Sequence, residues 1–429
     1  MYRVWNFISE YSVLLISGAL IALVWANLDA LVPVAGNSHY WFDIYHHIVE
    51  YQIWEDGPIG HYHHGHRELT LHYLINDVLM ALFFAIAGKE VWEAVALKDG
   101  SLRGKKSLTP LIATSGGMFG PIAVYLGIAA VMGANTFDAV ANGWAVPTAT
   151  DIAFSYLVGR LIFGAGHPAV GFLLLLAIAD DAAGLIILAI FYPSGELALE
   201  WLLLSFGAAA LAYILFNWLP RRMDGDDPTR PVSTKVRKSL GGLPYVIAGC
   251  ASWYGFMQAG IHPALGLLPI IPAIPHADSD FGFFAEKETH HHDLLNEMEH
   301  SLKAPVDVVL LMFGFANAGI QMSAVGDATW LVLAGLLVGK PVGIWLMGYI
   351  AAKPLGLGLP EGMKHSDLFV LGAIAGIGFT VSLFIAGVAF EAGPVQDAAK
   401  MGALFSFGAV LLAFASAAVF RVEKRALPA

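Results

Sequence analysis

The apolar residues of this chain fall in long blocks, without the alternation typical of strands or the three-to-four-residue period of an amphipathic helix. Blocks of about 20 residues match the hydrocarbon core of a bilayer. We therefore predict an all-α polytopic membrane protein with about twelve transmembrane spans. Numbered in chain order, the predicted spans cover residues 12–33, 71–97, 108–133, 140–163, 168–192, 197–219, 239–257, 260–275, 303–323, 328–352, 366–390 and 398–420.

The composition agrees with this pattern. Hydrophobic residues make up 57% of the chain and charged residues only 13%, whereas soluble domains contain about 25% charged residues. A single cysteine, Cys250, excludes a disulfide framework and a thiolate metal site. We expect residues 1–429 to form one membrane transporter domain, with an external loop at 34–70 and cytoplasmic loops at 220–238 and 276–302.

The distribution of Lys and Arg predicts the orientation. Nineteen of the 23 basic residues fall at the N-terminus, in the even-to-odd loops and at the C-terminus. The opposite loops contain only Arg67 and Lys400, and Lys89 and Lys340 lie inside spans. Because cytoplasmic loops carry the excess of positive charge, both termini are expected in the cytoplasm.

Several charged residues interrupt the apolar spans. A carboxylate at the centre of a transmembrane helix costs about 2.5–3.5 kcal/mol on insertion scales, so such residues mark ion or proton sites. The alternative is a buried ion pair that only holds helices together. The set within the spans or at their ends is Asp77, Glu90, Asp151, Asp180, Asp181 and Lys340.

The adjacent pair Asp180 and Asp181 is central to this set. Neighbouring residues on a helix point about 100° apart, so one carboxylate can face a partner charge while the other faces a cavity. Lys340 is the only cation near the middle of a span and is the natural partner for one of them. Oxygen ligands suit small hard cations. A carboxylate site that holds either a cation or protons is the core of an antiporter.

Two spans are predicted to be broken. Span 4 contains Pro147 before a run of small and polar residues, and span 11 contains Gly372, Gly376, Gly378 and Thr380 close together. Spans 4 and 11 are the middle members of the triplets formed by spans 3–5 and 10–12. The two triplets also share a weak sequence similarity, since GPIAVYLG at 120–127 is similar to KPVGIWLMG at 340–348. Interrupted spans in matching positions of two halves indicate inverted repeats with a transport site between them.

Longer motifs identify a family. The chain resembles the bacterial Na+/H+ antiporters of the NhaA type, which are built from inverted repeats of spans. The matching stretches cover nearly all spans in order. They are IND…LMALFF at 75–84, SGGM at 115–118, WAVPTATDIAF at 144–154, LAIADDAAGLIILAIFY at 176–192, GIHPALG at 260–266, FANAGI at 315–320, GLLVGKPVGI at 335–344 and AGIGFTVSLFIA at 375–386.

The resemblance implies a role for each residue. Asp181 matches the principal cation and proton carboxylate, and Asp180 the acid that pairs with Lys340, so Na+ would bind at these two acids. Asp151 and the neighbouring Thr150 would also belong to the cation and proton site. Asp151 would offset the positive helix ends where the broken spans cross near Gly376, Gly378 and Thr380, and Lys340 would offset the negative ends. Asp77 and Glu90 match positions linked to activity and to the cytoplasmic mouth.

The resemblance also implies the activity. Such proteins are electrogenic secondary transporters of the inner membrane that export one Na+ or Li+ for about two protons. They serve pH and sodium homeostasis. The expected partners are Na+, Li+, H+, the lipid bilayer and a second copy in a homodimer. We expect no cofactor, no enzymatic activity and no nucleic acid.

Other interpretations stay open on the sequence alone. A cation-coupled symporter, or an exchanger for another monovalent cation, could use the same scaffold. In the external loop, HYHHGH could bind zinc through His61, His63, His64 and His66, or these histidines could be solvated. The runs YWFDIY and ELTLHYL could form a hairpin outside the membrane. His290, His291 and His292 in the cytoplasmic loop could shift the pH of activation when protonated.

Overall fold

Helices make up almost all of the regular structure. The computed structural model describes residues 13–34, 37–63, 66–97, 100–102, 104, 107–225, 227, 230–276 and 294–425. The histidines at 290–292 lie outside the described residues. The chain folds into two compact units: the first contains residues 1–51, 101–184 and 311–429, and the second contains residues 52–100 and 185–310. The first unit therefore contains both predicted triplets, spans 3–5 and 10–12, apart from the end of span 5.

The helices are numbered in chain order. They are α1 (Val13–Ala26), α2 (Leu28–Leu31), α3 (Tyr40–Val49), α4 (Leu71–Ala96), α5 (Leu108–Met132), α6 (Ala134–Val140), α7 (Ile152–Phe163), α8 (Pro168–Phe191), α9 (Leu199–Asp224), α10 (Pro231–Leu240), α11 (Leu243–Gln258), α12 (Leu294–Asn317), α13 (Asp327–Ala352), α14 (His365–Ala375), α15 (Phe379–Ala389) and α16 (Pro394–Val419). Separate 3-10 helices occupy Ala141–Thr148, Pro263–Leu265, Leu268–Ala273 and Met322–Ala324.

The prediction of an all-α polytopic membrane protein is confirmed. Within the described residues, six helices are long and apolar enough to cross a bilayer, and α14 with α15 forms a seventh, broken span. The other predicted spans contain shorter or more polar helices. Span 8 differs most from expectation, because Pro263, Pro269 and Pro272 replace a regular α-helix with two 3-10 helices.

Both predicted breaks are present in the first unit. In span 4, the 3-10 helix Ala141–Thr148 ends in extended backbone at Ala149, and α7 starts after Asp151. In span 11, α14 and α15 are bent by 54° at the residues between them. Each break leaves helix-terminal N–H and carbonyl groups at membrane depth, where they need partners other than water.

Close packing of α5 against α13 brings the two repeats together. A Cβ atom added at Gly116 would lie 2.1 Å from the carbonyl oxygen of Gly343, and one at Gly343 would lie 2.0 Å from the carbonyl oxygen of Gly116. Only glycine permits this approach of two backbones. The contact positions α13, and with it Lys340, beside the break in span 4.

In the part of the chain that the structure describes, three helices contain a wide π turn that the sequence did not predict. The turns are Leu74–Leu79 in α4, Ile214–Trp218 in α9 and Gly335–Gly339 in α13. The first includes Asp77 and the third ends directly before Lys340. Single π turns inside α-helices often mark functional sites.

The second unit contains a small antiparallel sheet outside the helices. Its strands are β1 (Gln52–Trp54), β2 (His61–His63) and β3 (His66–Thr70), in the order β1-β3-β2. The expected hairpin was therefore partly wrong. The segment ELT lies in β3, but YWFDIY is the first part of α3 in the first unit, where its aromatic residues recur at helical spacing.

Candidate ion-binding site

Asp151 caps two helices at the crossing of the broken spans. Its Oδ1 accepts a hydrogen bond from the N–H of Phe154 at 3.3 Å, in the first turn of α7. Its Oδ2 accepts from the N–H of Thr380 at 3.3 Å and from the Thr380 hydroxyl, in the first turn of α15. Helix N-termini carry partial positive charge. One buried carboxylate thus neutralises the N-terminal ends of both half-helices.

Backbone and hydroxyl groups connect the two breaks directly. The N–H of Asp151 donates to the carbonyl of Ile377 at 2.7 Å. The Ser155 hydroxyl donates to the carbonyl of Ile374 at 3.2 Å, and the Ser382 hydroxyl donates to the carbonyl of Val146 at 2.8 Å. Groups of each span therefore donate to backbone carbonyls beside the break in the other span.

The glycines of span 11 allow this crossing. A Cβ atom at Gly376 would lie 2.6 Å from the carbonyl oxygen of Leu336, and one at Gly378 would lie 2.3 Å from the Ser382 hydroxyl. The N–H of Gly378 donates to the Ser406 hydroxyl at 3.2 Å. Side chains at Gly376 or Gly378 would push the break away from its neighbours.

Lys340 has two partners at the break in span 4. Its Nζ donates to the carbonyl of Thr148 at 2.5 Å, at the C-terminal end of the 3-10 helix. The same nitrogen lies 3.1 Å from Asp180 Oδ2, and both side chains are fully buried. The ammonium thus lies beside both a negative helix end and one carboxylate.

Thr150 connects Asp180 to the second broken span. Its hydroxyl lies 2.6 Å from Asp180 Oδ2 and 3.1 Å from the carbonyl oxygen of Ala375, the last residue of α14. A hydroxyl has one proton, so it donates to one of these acceptors at a time. Asp180 Oδ1 is buried and has no hydrogen-bond partner within the described residues.

Asp181 is the least satisfied carboxylate of the group. It is partly buried, and in the described part of the chain no hydrogen bond reaches it. The charges that act on it are those of Asp180, Asp151 and Lys340. Three carboxylates against one ammonium leave a formal charge of about −2 when all are ionised, which favours a bound cation or bound protons.

Asp77 lies in the second unit, in the π turn of α4. Its carbonyl accepts a hydrogen bond from Trp253 Nε1 at 2.8 Å, and its Oδ1 lies 3.8 Å from His262 Nε2. His262 Nδ1 accepts from the N–H of Ala264 at 3.3 Å, so in the neutral ring the proton is on Nε2, facing Asp77. The sequence had not indicated His262 as a neighbour of Asp77.

Glu90 belongs to a buried charge cluster in the second unit. Lys89 Nζ lies 3.7 Å from Glu90 and 2.6 Å from Glu93 on α4, and 2.6 Å from Glu299 on α12. The sequence prediction included Glu90 but not Lys89 or Glu93, although Lys89 and Glu93 have the i, i+4 spacing that places two side chains on one helix face. Glu299 falls in the predicted loop 276–302, but the structure places it in α12.

Comparisons with known proteins show the family of this chain. The sequence model described as Na+/H+ antiporter 1 matches residues 5–420. The chain belongs to the Na+/H+ antiporter 1 family. It is 68% identical to the Na(+)/H(+) antiporter NhaA of Jannaschia sp. (strain CCS1), over 99% of this chain and 100% of that protein.

More distant members of the family match over almost the same length. The Na(+)/H(+) antiporter NhaA of Desulfitobacterium hafniense (strain DSM 10664 / DCB-2) is 43% identical over 98% of this chain and 96% of its own. The corresponding protein of Geobacter sulfurreducens (strain ATCC 51573 / DSM 12127 / PCA) is 42% identical over 95% of each chain. Together with the apolar helices, family membership makes this chain a multi-pass inner-membrane transporter.

The zinc hypothesis for the external histidines gains no support from the described residues. Among them, no group of three or more His, Cys, Asp or Glu side chains is placed to hold a metal ion. His66 Nδ1 instead lies 2.6 Å from Asp56 at the surface. His64 and the side chain of His63 lie outside the described part of the chain, so the complete set of four histidines is not tested.

Proposed function

We propose that this antiporter exports Na+, or Li+, in exchange for about two protons, with Asp181 and Asp180 as the shared binding site. Sodium/proton exchange is the activity of the family. The proposal that these two residues form the site rests on their hydrogen bonding. Asp181 accepts no hydrogen bond from the described residues, and the buried Asp180 Oδ1 has no hydrogen-bond partner among them.

The chemistry of these oxygens explains why Na+ and protons exclude each other. Carboxylate and hydroxyl oxygens are suitable ligands for a small hard cation. An ionised carboxylate without a partner is costly inside a membrane protein, so the site is stable when it holds either Na+ or protons. Two carboxylates can carry two protons inward for each Na+ carried outward, which moves one net positive charge per cycle.

Asp151 and Lys340 have a different role in this proposal. Each is already bound to helix ends at the crossing, Asp151 to N-terminal N–H groups and Lys340 to a C-terminal carbonyl. They keep two half-helices stable at membrane depth next to a site whose charge changes during the cycle. Thr150 connects this frame to Asp180 and could supply a hydroxyl ligand.

The proposal also covers access to the site, the response to pH, the orientation in the membrane and the oligomeric state. The two compact units act together as one transporter, and alternating access exposes the carboxylates to each side of the membrane in turn. Asp77 and Glu90 contribute to the access routes or to the response to pH. The excess of Lys and Arg in one set of loops supports cytoplasmic termini, and a homodimer follows the family resemblance.

Flux in proteoliposomes tests the proposal. Protein is reconstituted in vesicles with an acidic lumen and an internal pH dye, and Na+, Li+ or K+ is added outside. Na+ and Li+ should make the lumen alkaline, whereas a symporter would make no such change or acidify it. Asp181→Asn should abolish the signal, and Asp138→Asn, the same chemical change at an exposed acid of α6, should retain it.

A further inference from the structure

The chain turns back along the first unit after α16 and forms a C-terminal strap, residues 421–425. At the turn, the N–H of Arg421 donates to the carbonyl of Ala418 at 3.3 Å. The N–H of Val422 donates to the carbonyl of Ala417 at 3.0 Å. This pair of bonds usually ends a helix at a glycine. Here Arg421 takes the left-handed conformation, with φ at 52°, although that conformation is uncommon for residues other than glycine.

The strap is bound by its backbone to the turn between α7 and α8. The N–H of Arg425 donates to the carbonyl of Phe163, the last residue of α7, at 2.8 Å. The carbonyl of Arg425 accepts from the N–H of Gly166 at 3.0 Å. Gly164 has a φ of 81°, and a Cβ atom there would lie 2.4 Å from the Arg425 carbonyl oxygen. Glycine thus permits a close approach of the strap to the turn that leads into α8.

The same strap contacts the segment that precedes α14. The Arg425 guanidinium lies against Gly362, which has a φ of 87° and at which a Cβ atom would lie 2.3 Å from Nη1. Lys364, directly before α14, lies with its Nζ 3.0 Å from Glu423 Oε1. The strap therefore connects the ends of α7, α8 and α14. These are the helices that contain the site carboxylates or lead into the crossing of the broken spans.

Polar contacts at the surface hold the strap in place. Four of its five residues are exposed, and Val422 is half-buried. The side chains of Lys364 and Glu423 are 56% and 71% exposed, so their attraction is weak and is screened by salt. Segments with few buried apolar contacts open more readily than the core of a protein. The strap can therefore detach while the helices that it connects stay folded.

We propose that the strap restrains transport. When bound, it holds the ends of α7, α8 and α14 together, and its release raises the maximal rate of exchange. Contacts that exist in only one conformation stabilise that conformation and slow the exit from it. In the described chain, the hydrogen bonds and ion pair of the strap do not involve Asp151, Asp180 or Asp181. Release should therefore change the rate and leave the Na+ affinity as it is.

Proton flux per protein in proteoliposomes tests this role, which rests on the proposed exchange of Na+ for protons. Glu423→Lys places two like charges together at Lys364, and Arg425→Pro removes both the N–H donor and the guanidinium. Each variant should raise the flux at saturating Na+ by about twofold or more, as expected for a modest shift between two conformations. The Na+ concentration for half-maximal flux should match that of wild type.

Two further variants control for charge. Glu423→Lys combined with Lys364→Glu restores the ion pair with its charges exchanged and should return the flux to the wild-type value. Lys424→Glu is the matched control, because Lys424 is an exposed strap residue without a hydrogen bond or ion pair to another described residue. Its flux should equal that of wild type.

The outcomes distinguish a restraint from a structural role. Wild-type flux in both Glu423→Lys and Arg425→Pro would overturn the proposal. Flux that falls together with the melting temperature in detergent would also overturn it, because the strap would then only stabilise the fold. Increased flux that the charge exchange fails to reverse would contradict the role of the ion pair. If wild type itself shows no Na+-driven proton flux, the proposed exchange fails, and with it the restraint.

Discussion

Lys340 Nζ lies 3.1 Å from Asp180 Oδ2 and donates at 2.5 Å to the carbonyl of Thr148. One buried ammonium therefore connects α13, the carboxylate of α8 and the end of the 3-10 helix in span 4. Because both charged side chains are fully buried, neither can recover hydration if its partner is removed. The pair links the stability of the fold to the chemistry of the site.

Replacing Lys340 by alanine should therefore affect both. An uncompensated buried charge typically costs about 3–5 kcal/mol, so Lys340→Ala should lower the melting temperature in detergent and reduce Na+-driven proton flux. The double variant Lys340→Ala with Asp180→Asn removes both charges and should recover much of the stability but none of the transport. An unchanged melting temperature in Lys340→Ala would contradict the importance of this ion pair.

The hydroxyl of Thr150 should tune the affinity for Na+. Thr150→Val keeps the shape of the side chain but removes the hydrogen bond to Asp180 Oδ2, and hydrogen bonds to charged groups are worth about 1.5–3 kcal/mol. We expect the apparent Na+ affinity of transport to fall about tenfold, measured as the concentration for half-maximal flux. Thr150→Ser retains a hydroxyl and should remain near wild type. Equal affinities in the two variants would assign Thr150 a packing role only.

The backbone contact between α5 and α13 can be tested with two glycines of the same helix. At Gly116 an added methyl meets the carbonyl of Gly343, whereas at Gly127 it meets nothing within 4 Å. Overpacking costs about 1–3 kcal/mol, so Gly116→Ala should destabilise the protein and displace Lys340. Gly127→Ala should be neutral or slightly stabilising, because alanine favours the helix. Similar melting temperatures would show that α5 and α13 are not this close.

The sequence predicted those parts of the site that depend on side-chain type. Asp151, Lys340 and the breaks at Pro147 and Gly376 are visible because charge, proline and clustered glycine are unusual in apolar spans. The contact of Lys340 with the Thr148 carbonyl could not be predicted from the sequence, because every residue has a backbone carbonyl. The π turn before Lys340 was also hidden, since one extra residue per turn hardly changes the pattern of a uniformly apolar helix.

Segments outside the long apolar blocks were predicted less well. The composition of YWFDIY is typical of a strand, but the segment forms the first part of α3. There it packs against other helices, and Tyr45 donates a hydrogen bond to the carbonyl of Phe315 at 2.5 Å. Ser155 and Ser382 were missed because a lone hydroxyl in a span usually bonds to its own helix. Their position within a few residues of each break was the available signal.

His167 should make part of the stability depend on pH. Its Nδ1 accepts a hydrogen bond from the N–H of Ala169 at 3.1 Å, in the first turn of α8. Burial lowers the pKa of His167 from its usual value of about 6.5, with smaller opposing effects from Asp367 and Glu423. Because the unfolded chain binds this proton more readily, the contribution is present near neutral pH and is lost as the pH falls below about 6.5.

His167→Asn isolates this effect. Asparagine keeps an acceptor for the helix N-terminus but does not titrate. The melting temperature of the variant should therefore fall less steeply between pH 7 and pH 5 than that of wild type, while His167→Ala should be less stable at both pH values. Parallel pH profiles of wild type and His167→Asn would show that His167 contributes nothing to the pH dependence.

The central claim is that Na+ and protons compete for Asp181 and Asp180. The most direct measurement is the Na+ concentration that gives half-maximal proton flux in proteoliposomes, determined at several values between pH 6 and pH 9. If each Na+ must displace protons from these carboxylates, that concentration should rise as the pH falls, by about tenfold per pH unit for each proton displaced. A half-maximal Na+ concentration that stays constant across this range would contradict a shared site.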